Sequence, residues 1–192
     1  MIVQMIGIVS AQGVLALGNP NGYSLFIIIS ILVSISFAPI LLSVSPTPAF
    51  ERTKPMSLAQ LFRSSPLGCV GMFLLGGVFS AQFGMSAVFG SQIGLSLSKI
   101  SLFVAAFYIG AMIFQYPIGW MSDRMDRRLL ILLISASSAG GSVFAYFAGD
   151  YFFALVFAAF LVGGLSNPLY SLIIAHANDF IEYEDMPSAA AG

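Results

Sequence analysis

Charge is what this chain has least of. Only 8% of its residues are Asp, Glu, Lys or Arg, against 58% apolar, and its mean hydropathy is +0.96. Soluble domains carry about 25% charged residues. A soluble fold of 192 residues could not hide so much apolar surface, so the expected solvent is lipid. The net charge of −1 leaves no electrostatic footprint for nucleic acid, and no such partner is expected. Cys69 is the only cysteine, which excludes an intrachain disulfide. A Gly-rich phosphate loop, Cys/His zinc spacing and a nucleophile–base–acid set are all missing. Nothing therefore supports an enzyme, a cofactor or a metal site. Met1–Ile6 has no basic stretch and no small-residue cleavage site follows, so the start does not read as a cleaved signal peptide. Strand-like alternation is absent, which argues against a barrel.

What is present is a series of six apolar segments, at about 1–17, 23–44, 67–89, 100–121, 129–147 and 151–175. In lipid such runs must satisfy their own backbone hydrogen bonds, which predicts helices and an all-α, polytopic membrane bundle. The first is short for a span, which needs about 20 residues. Gly18-Asn-Pro-Asn-Gly22 ends it with a turn. Residues 45–65 form the one long connection. Pro46, Pro48 and Pro55 prevent a continuous helix there. Ser57–Phe62 then reads as a short interfacial helix capped by Ser57, with Leu58, Leu61 and Phe62 toward lipid.

Orientation follows from the basic residues in the loops. Arg52, Lys54, Arg63, Arg124, Arg127 and Arg128 fall on one side and Lys99 on the other. The first side, and with it both termini, is expected to be cytoplasmic.

The densest charge cluster lies between two apolar runs, at Gly119-Trp-Met-Ser-Asp123-Arg124-Met-Asp126-Arg127-Arg128. Charges at mid-depth in a bilayer cost roughly 2.5–3.5 kcal/mol each, so this must be a short aqueous loop. Gly119 would permit close helix approach, Asp123 could cap the following helix, and the Arg residues would sit at headgroup level and meet anionic lipid. The spacing at Gly119, Asp123, Arg124, Arg127 and Arg128 resembles the loop signature G-x-x-x-D-R-x-G-R-R of the major facilitator superfamily. Asp126 stands where that family usually has Gly, and its carboxylate is expected to pair with Arg127 or Arg128. A proline-containing loop two spans upstream resembles the family's linker between its six-helix halves.

The resemblance implies a part of a twelve-helix fold, a fragment covering about helices 5 to 10 and lacking helices 1–4 and 11–12. Residues 1–44 would be the last two helices of the N-terminal bundle, 45–65 the cytoplasmic inter-bundle linker, and 66–192 the first four helices of the C-terminal bundle with a cytoplasmic tail. It implies a secondary transporter that moves a small solute by alternating access, in a bacterial plasma (inner) membrane. The chain by itself is then expected not to transport. The alternative is a non-transporting, permease-like membrane sensor or structural subunit. The expected partners are the lipid bilayer, a small-molecule solute and a coupling ion. Asp123 would act as a conformational latch, bridging to a neighbouring helix in one state.

Few polar side chains fall inside the spans. Gln82, Ser86, Tyr108, Gln115, Asn167 and Tyr170 are candidates for the substrate cavity. Interhelical hydrogen bonding, worth about 0.6 kcal/mol per bond, is the plainer role. No Asp, Glu, Lys or Arg falls clearly inside a span, although proton-coupled carriers normally need one. Small residues (Gly76, Ser80 and Gly84; Ala154, Ala158, Ala159 and Gly163; the stretch 135–142) mark faces for close packing. Pro168 is expected to kink the last span.

Overall fold

A computed structural model of the chain describes residues 2–17, 22–42, 57–149 and 151–180. Its helices are α1 (Ile2–Leu17), α2 (Ser24–Leu42), α3 (Leu58–Ser64), α4 (Pro66–Ser80), α5 (Ser86–Gln92), α6 (Leu97–Ser122), α7 (Arg127–Ala148) and α8 (Phe152–Asn178). There is no strand among the described residues. α4 runs into α5 through a π-helical turn at Ala81–Met85, so 66–92 is a single rod. All six apolar segments are helical within the described residues. Four helices are long and apolar enough to cross a membrane: Pro66–Gln92, Leu97–Ser122, Arg127–Ala148 and Phe152–Asn178. At 1.5 Å per residue they reach about 33–40 Å, beyond the roughly 30 Å hydrocarbon layer. α1 and α2 are shorter, with 16 and 19 residues. The turn at 18–21, the linker residues 45–56 with Arg52 and Lys54, and the tail from 181 lie outside the described residues.

Helix α8 is the hub. It packs on α4, α6 and α7 at once, and half of its most apolar stretch is buried. α1 packs along α6, whereas α2 makes no extended contact with the other described helices. Two clusters fill the interior. Leu75, Ile118, Leu130, Ile134, Leu169 and Leu172 pack at one end, and Phe103, Ala106, Phe107, Leu155 and Ala159 at the other. Large side chains such as Phe73, Leu132, Phe147 and Phe153 point outward. In water such a surface would drive aggregation; in a bilayer it is the solvated face.

The closest helix contact is the α6–α8 crossing. A Cβ added at Gly110 would lie 2.0 Å from the Phe160 carbonyl oxygen, and one at Gly163 2.3 Å from that of Phe107. Only glycine lets the two backbones meet there. Gly141 similarly faces Val162 at 3.1 Å. Gly76, Gly77 and Gly84, by contrast, have open space where a Cβ would go. The small-residue face expected on the third segment is therefore not a packing seam among the described residues.

Alternation of the helices separates the described loop charges. Gly68 lies against Ala177, and Arg127 pairs with Asp179, so the start of α4, the α6–α7 loop and the end of α8 share one end. Lys99 sits at the other, 5.4 Å from the Phe152 ring centroid. At that end Gly94 (φ 75°) and Gly149 (φ 57°) make the turns, a left-handed conformation that costs glycine little. α3 carries the expected cap in full. The Ser57 hydroxyl accepts from the Gln60 N–H, and the Gln60 side chain accepts from the Ser57 N–H at 3.0 Å.

Candidate functional site

The α6–α7 loop is four residues long, Asp123 to Asp126, and each of its charges has a distinct setting. Asp123 is at the C-terminal cap of α6, with φ −80° and ψ −10°. It does not cap the next helix, contrary to the sequence expectation. Asp126 does so, its carboxylate accepting the Arg128 N–H at 2.8 Å. The reason is distance along the chain: a cap must directly precede the first helical residue, here Arg127. This also explains why Asp replaces Gly without strain. Asp126 has φ −59°, so no left-handed turn is needed, and the carboxylate favours the positive end of α7. The expected pairing of Asp126 with an Arg side chain is thus replaced by a bond to a backbone N–H.

The three Arg residues fasten the loop outward and across. The Arg124 guanidinium lies 4.0 Å from the Trp120 ring centroid and donates to the Trp120 carbonyl at 3.2 Å. Arg127 forms an ion pair with Asp179 and donates to the Ala175 carbonyl at 3.2 Å. It thereby ties the first turn of α7 to the last turn of α8, as a second donor to a carbonyl that already accepts the Asp179 N–H at 3.2 Å. Arg128 lies 5.3 Å from the Phe180 ring centroid, and His176, buried, meets the same ring at 5.0 Å. Gly119 is exposed, with no atom within 4 Å of where a Cβ would stand, so the expected close approach is not made within the described residues.

Two cavities flank this loop. One, of about 420 Å³, is bounded by the loop, His176, Asp179 and Phe180. The other, of about 250 Å³, reaches between α6 and α8 to Gln115 and Ser171. Ser122, Asp123 and Arg127 line both. Among the described residues the one ion pair is Arg127–Asp179, which leaves the exposed Asp123 carboxylate unpaired in this conformation.

The mid-span candidates divide. Gln82 and Ser86 are both buried beside a cavity of about 540 Å³, lined by residues of α4, the π turn, α5, α6, α7 and α8. Gln82 Nε2 donates to the Ser166 hydroxyl at 2.8 Å, Ser86 donates to the Gln82 carbonyl, and Gln82 Oε1 is buried without a partner among the described residues. Gln115 donates to Ser171 at 3.5 Å, and its amide oxygen is likewise buried and unpaired. Asn167 turns its amide back to the Gly163 carbonyl of its own helix at 2.9 Å. Tyr108 stacks on Phe83 at 5.7 Å, and Tyr170 is 39% exposed. These last three line none of the cavities just described. Pro168 lies inside α8 as expected, and Pro117, which the sequence reading passed over, lies inside α6.

Sequence reasoning also missed Ser166 and Ser171, the partners of the two glutamines. The polar run Ser166-Asn167 in an apolar helix was the one signal for them. It missed the π turn too, because i→i+5 bonding leaves no compositional mark. π turns recur at functional positions.

Comparison with known proteins agrees with this architecture. Residues 68–191 match the family model of the Major Facilitator Superfamily. An uncharacterized MFS-type transporter of Bacillus subtilis (strain 168) is 26% identical over 147 residues, covering 74% of this chain and 37% of that protein. One of Yersinia pestis (strain Pestoides F) is 25% identical over 179 residues, covering 92% of this chain and 46% of that protein. The chain thus spans less than half the length of these relatives. No solved structure matches. With a matching stretch that runs through all four long spans and the charged loop, the chain belongs to the Major Facilitator Superfamily.

Proposed function

We propose that this chain forms part of a secondary transporter that carries a small solute across a lipid bilayer by alternating access. The observation that carries the reading is a pair of amides, buried Gln82 and part-buried Gln115, each beside a cavity and each with a buried oxygen unpaired among the described residues. A purely structural helix would fill or pair such groups, because leaving them unmet costs about 1–3 kcal/mol. Family membership and the transporter relatives support the same reading over a sensor or an enzyme. The solute would meet Gln82, Ser86 and Gln115 directly. Tyr108, Asn167 and Tyr170 would contribute only after rearrangement.

The test is accumulation of a panel of labelled solutes in cells making the whole transporter of which this chain would form part, against cells without it. A solute whose level changes is then measured with Gln115→Leu. We expect its transport to fall by about tenfold at equal membrane level, as for loss of one buried hydrogen bond. An unchanged rate would remove Gln115 from the solute path, and a panel with no affected solute would count against transport itself.

In the proposed orientation the Arg-rich end is cytoplasmic, in a bacterial inner membrane. With Cys69→Ser as background, a membrane-impermeant thiol reagent added outside should label Ser96→Cys and spare Met125→Cys. The reverse pattern would invert the topology.

A further inference from the structure

We propose that the cavity beside Gln82 is selective for an uncharged, largely apolar solute that carries one hydrogen-bond donor, such as a hydroxylated aromatic compound. The inference deepens the transporter reading and rests on it only in calling the ligand a solute. At about 540 Å³ the cavity falls within the ordinary range for small-molecule sites, roughly 300–1,000 Å³. Its walls are mainly carbon. Phe89, Phe103, Phe107 and Tyr146 contribute rings, and no Asp, Glu, Lys or Arg among the described residues lines it. A charged solute would lose its hydration there with no counter-charge in exchange.

Besides the hydroxyls of Ser86, Ser142 and Tyr146, this apolar wall carries one amide, Gln82, which is 7% exposed. Its amide nitrogen is held by Ser166, which fixes the side chain across the α8 contact. Its oxygen accepts nothing among the described residues. The terminal amide torsion of Gln is soft, so a small rotation presents that oxygen to a ligand in the cavity. A buried acceptor without a donor selects strongly for a ligand that brings one, and discriminates against an analogue that does not. The π turn contributes to this arrangement. Gln82 is its second residue, at a place where the regular backbone ladder is interrupted.

The test is equilibrium binding to the full 192-residue chain in lipid nanodiscs. The probes are 1-naphthol, 1-methoxynaphthalene and 1-naphthalenesulfonate at neutral pH. Naphthol offers a donor, its methyl ether an acceptor only, and the sulfonate a charge. We expect saturable naphthol binding, roughly three- to tenfold weaker binding of the ether, and none of the sulfonate. Gln82→Leu should bring naphthol down to the level of the ether while the ether is unaffected. Ala145→Phe, which narrows the cavity from its α7 wall, should abolish saturable binding of both. Equal affinity of naphthol and its ether for the unaltered chain would overturn the proposal and indicate a site for lipid acyl chains. Sulfonate binding as tight as naphthol would overturn it as well. These comparisons need no folded variant and no transport. Selective binding without any transported solute would instead overturn the transporter reading alone.

Discussion

Replacing Gly110 with Ala should destabilise the bundle as much as any single-methyl change in it. The added Cβ would meet the Phe160 carbonyl oxygen at 2.0 Å, and this obstacle is backbone, which cannot swing aside. Either α6 and α8 separate along their length or a helix bends. Overpacking commonly costs about 1–3 kcal/mol, and a contact with no flexible partner belongs at the upper end. Gly163→Ala, 2.3 Å from the Phe107 carbonyl oxygen, should behave alike. For a chain of this size the loss corresponds to a fall on the order of 10 °C in the unfolding midpoint. Gly76→Ala and Gly140→Ala are the informative controls, since both meet open space. They should leave the midpoint level or raise it, because Ala favours a helix over Gly by roughly 0.5–1 kcal/mol. The measurement is thermal unfolding of the purified chain in one detergent. Equal losses at Gly76 and Gly110 would mean that the α6–α8 crossing is not what the bundle depends on.

Asp123→Asn should separate transport from folding in the encoded protein. The Asp123 side chain caps no helix and makes no ion pair among the described residues, so removing its charge removes no visible support. Membrane level should therefore stay normal. If Asp123 is the proposed latch, its pairing belongs to another conformation. Its loss would then shift the balance between states by the roughly 1–3 kcal/mol typical of such couplings. Transport should fall by about tenfold. Asp126→Ala makes the contrast. It deletes the α7 cap, which costs about 0.5–2 kcal/mol, whereas Asp126→Asn keeps it. Stability should drop for Asp126→Ala and be near normal for both Asn variants. Arg127→Gln is a third case. Its pair with Asp179 is partly exposed, so the stability change should stay within about 1 kcal/mol. Normal transport in Asp123→Asn at normal membrane level would reduce the motif to a signal for topology.

The long spans were legible because lipid leaves the backbone few choices. An uncharged run of sufficient length must be a helix, and the four long ones fall within three residues of their expected ends. The charged loop was legible as a loop for the same reason. Its internal division of labour was not. Asp123 and Asp126 are the same residue type three positions apart, and only the start of α7 at Arg127 decides which of them caps. Gly110 and Gly76 are equally indistinguishable in sequence. One is trapped between two backbones and the other faces outward, a difference that depends on which helix α8 lies against. The glutamines were found because an amide in an apolar run is conspicuous. Their serine partners were not, since Ser also occurs on faces where it merely bonds its own helix, as Ser137 does to Leu133.

The π turn at Ala81–Met85 alters what a change in chain length would mean here. A π turn holds one residue more than the α-helix it interrupts. Removing a single residue from it would restore a regular helix and leave the rod almost as long. Every side chain from Ser86 to Gln92 would then keep close to its present facing relative to α4, because the wider turn already absorbs the roughly 100° that one extra residue would add. Gly90, where an added Cβ would come within 2.9 Å of an Ile100 side-chain carbon, would go on facing α6. A one-residue gap at this point between two related chains would thus record the loss of the π turn, with both halves of the rod left in register.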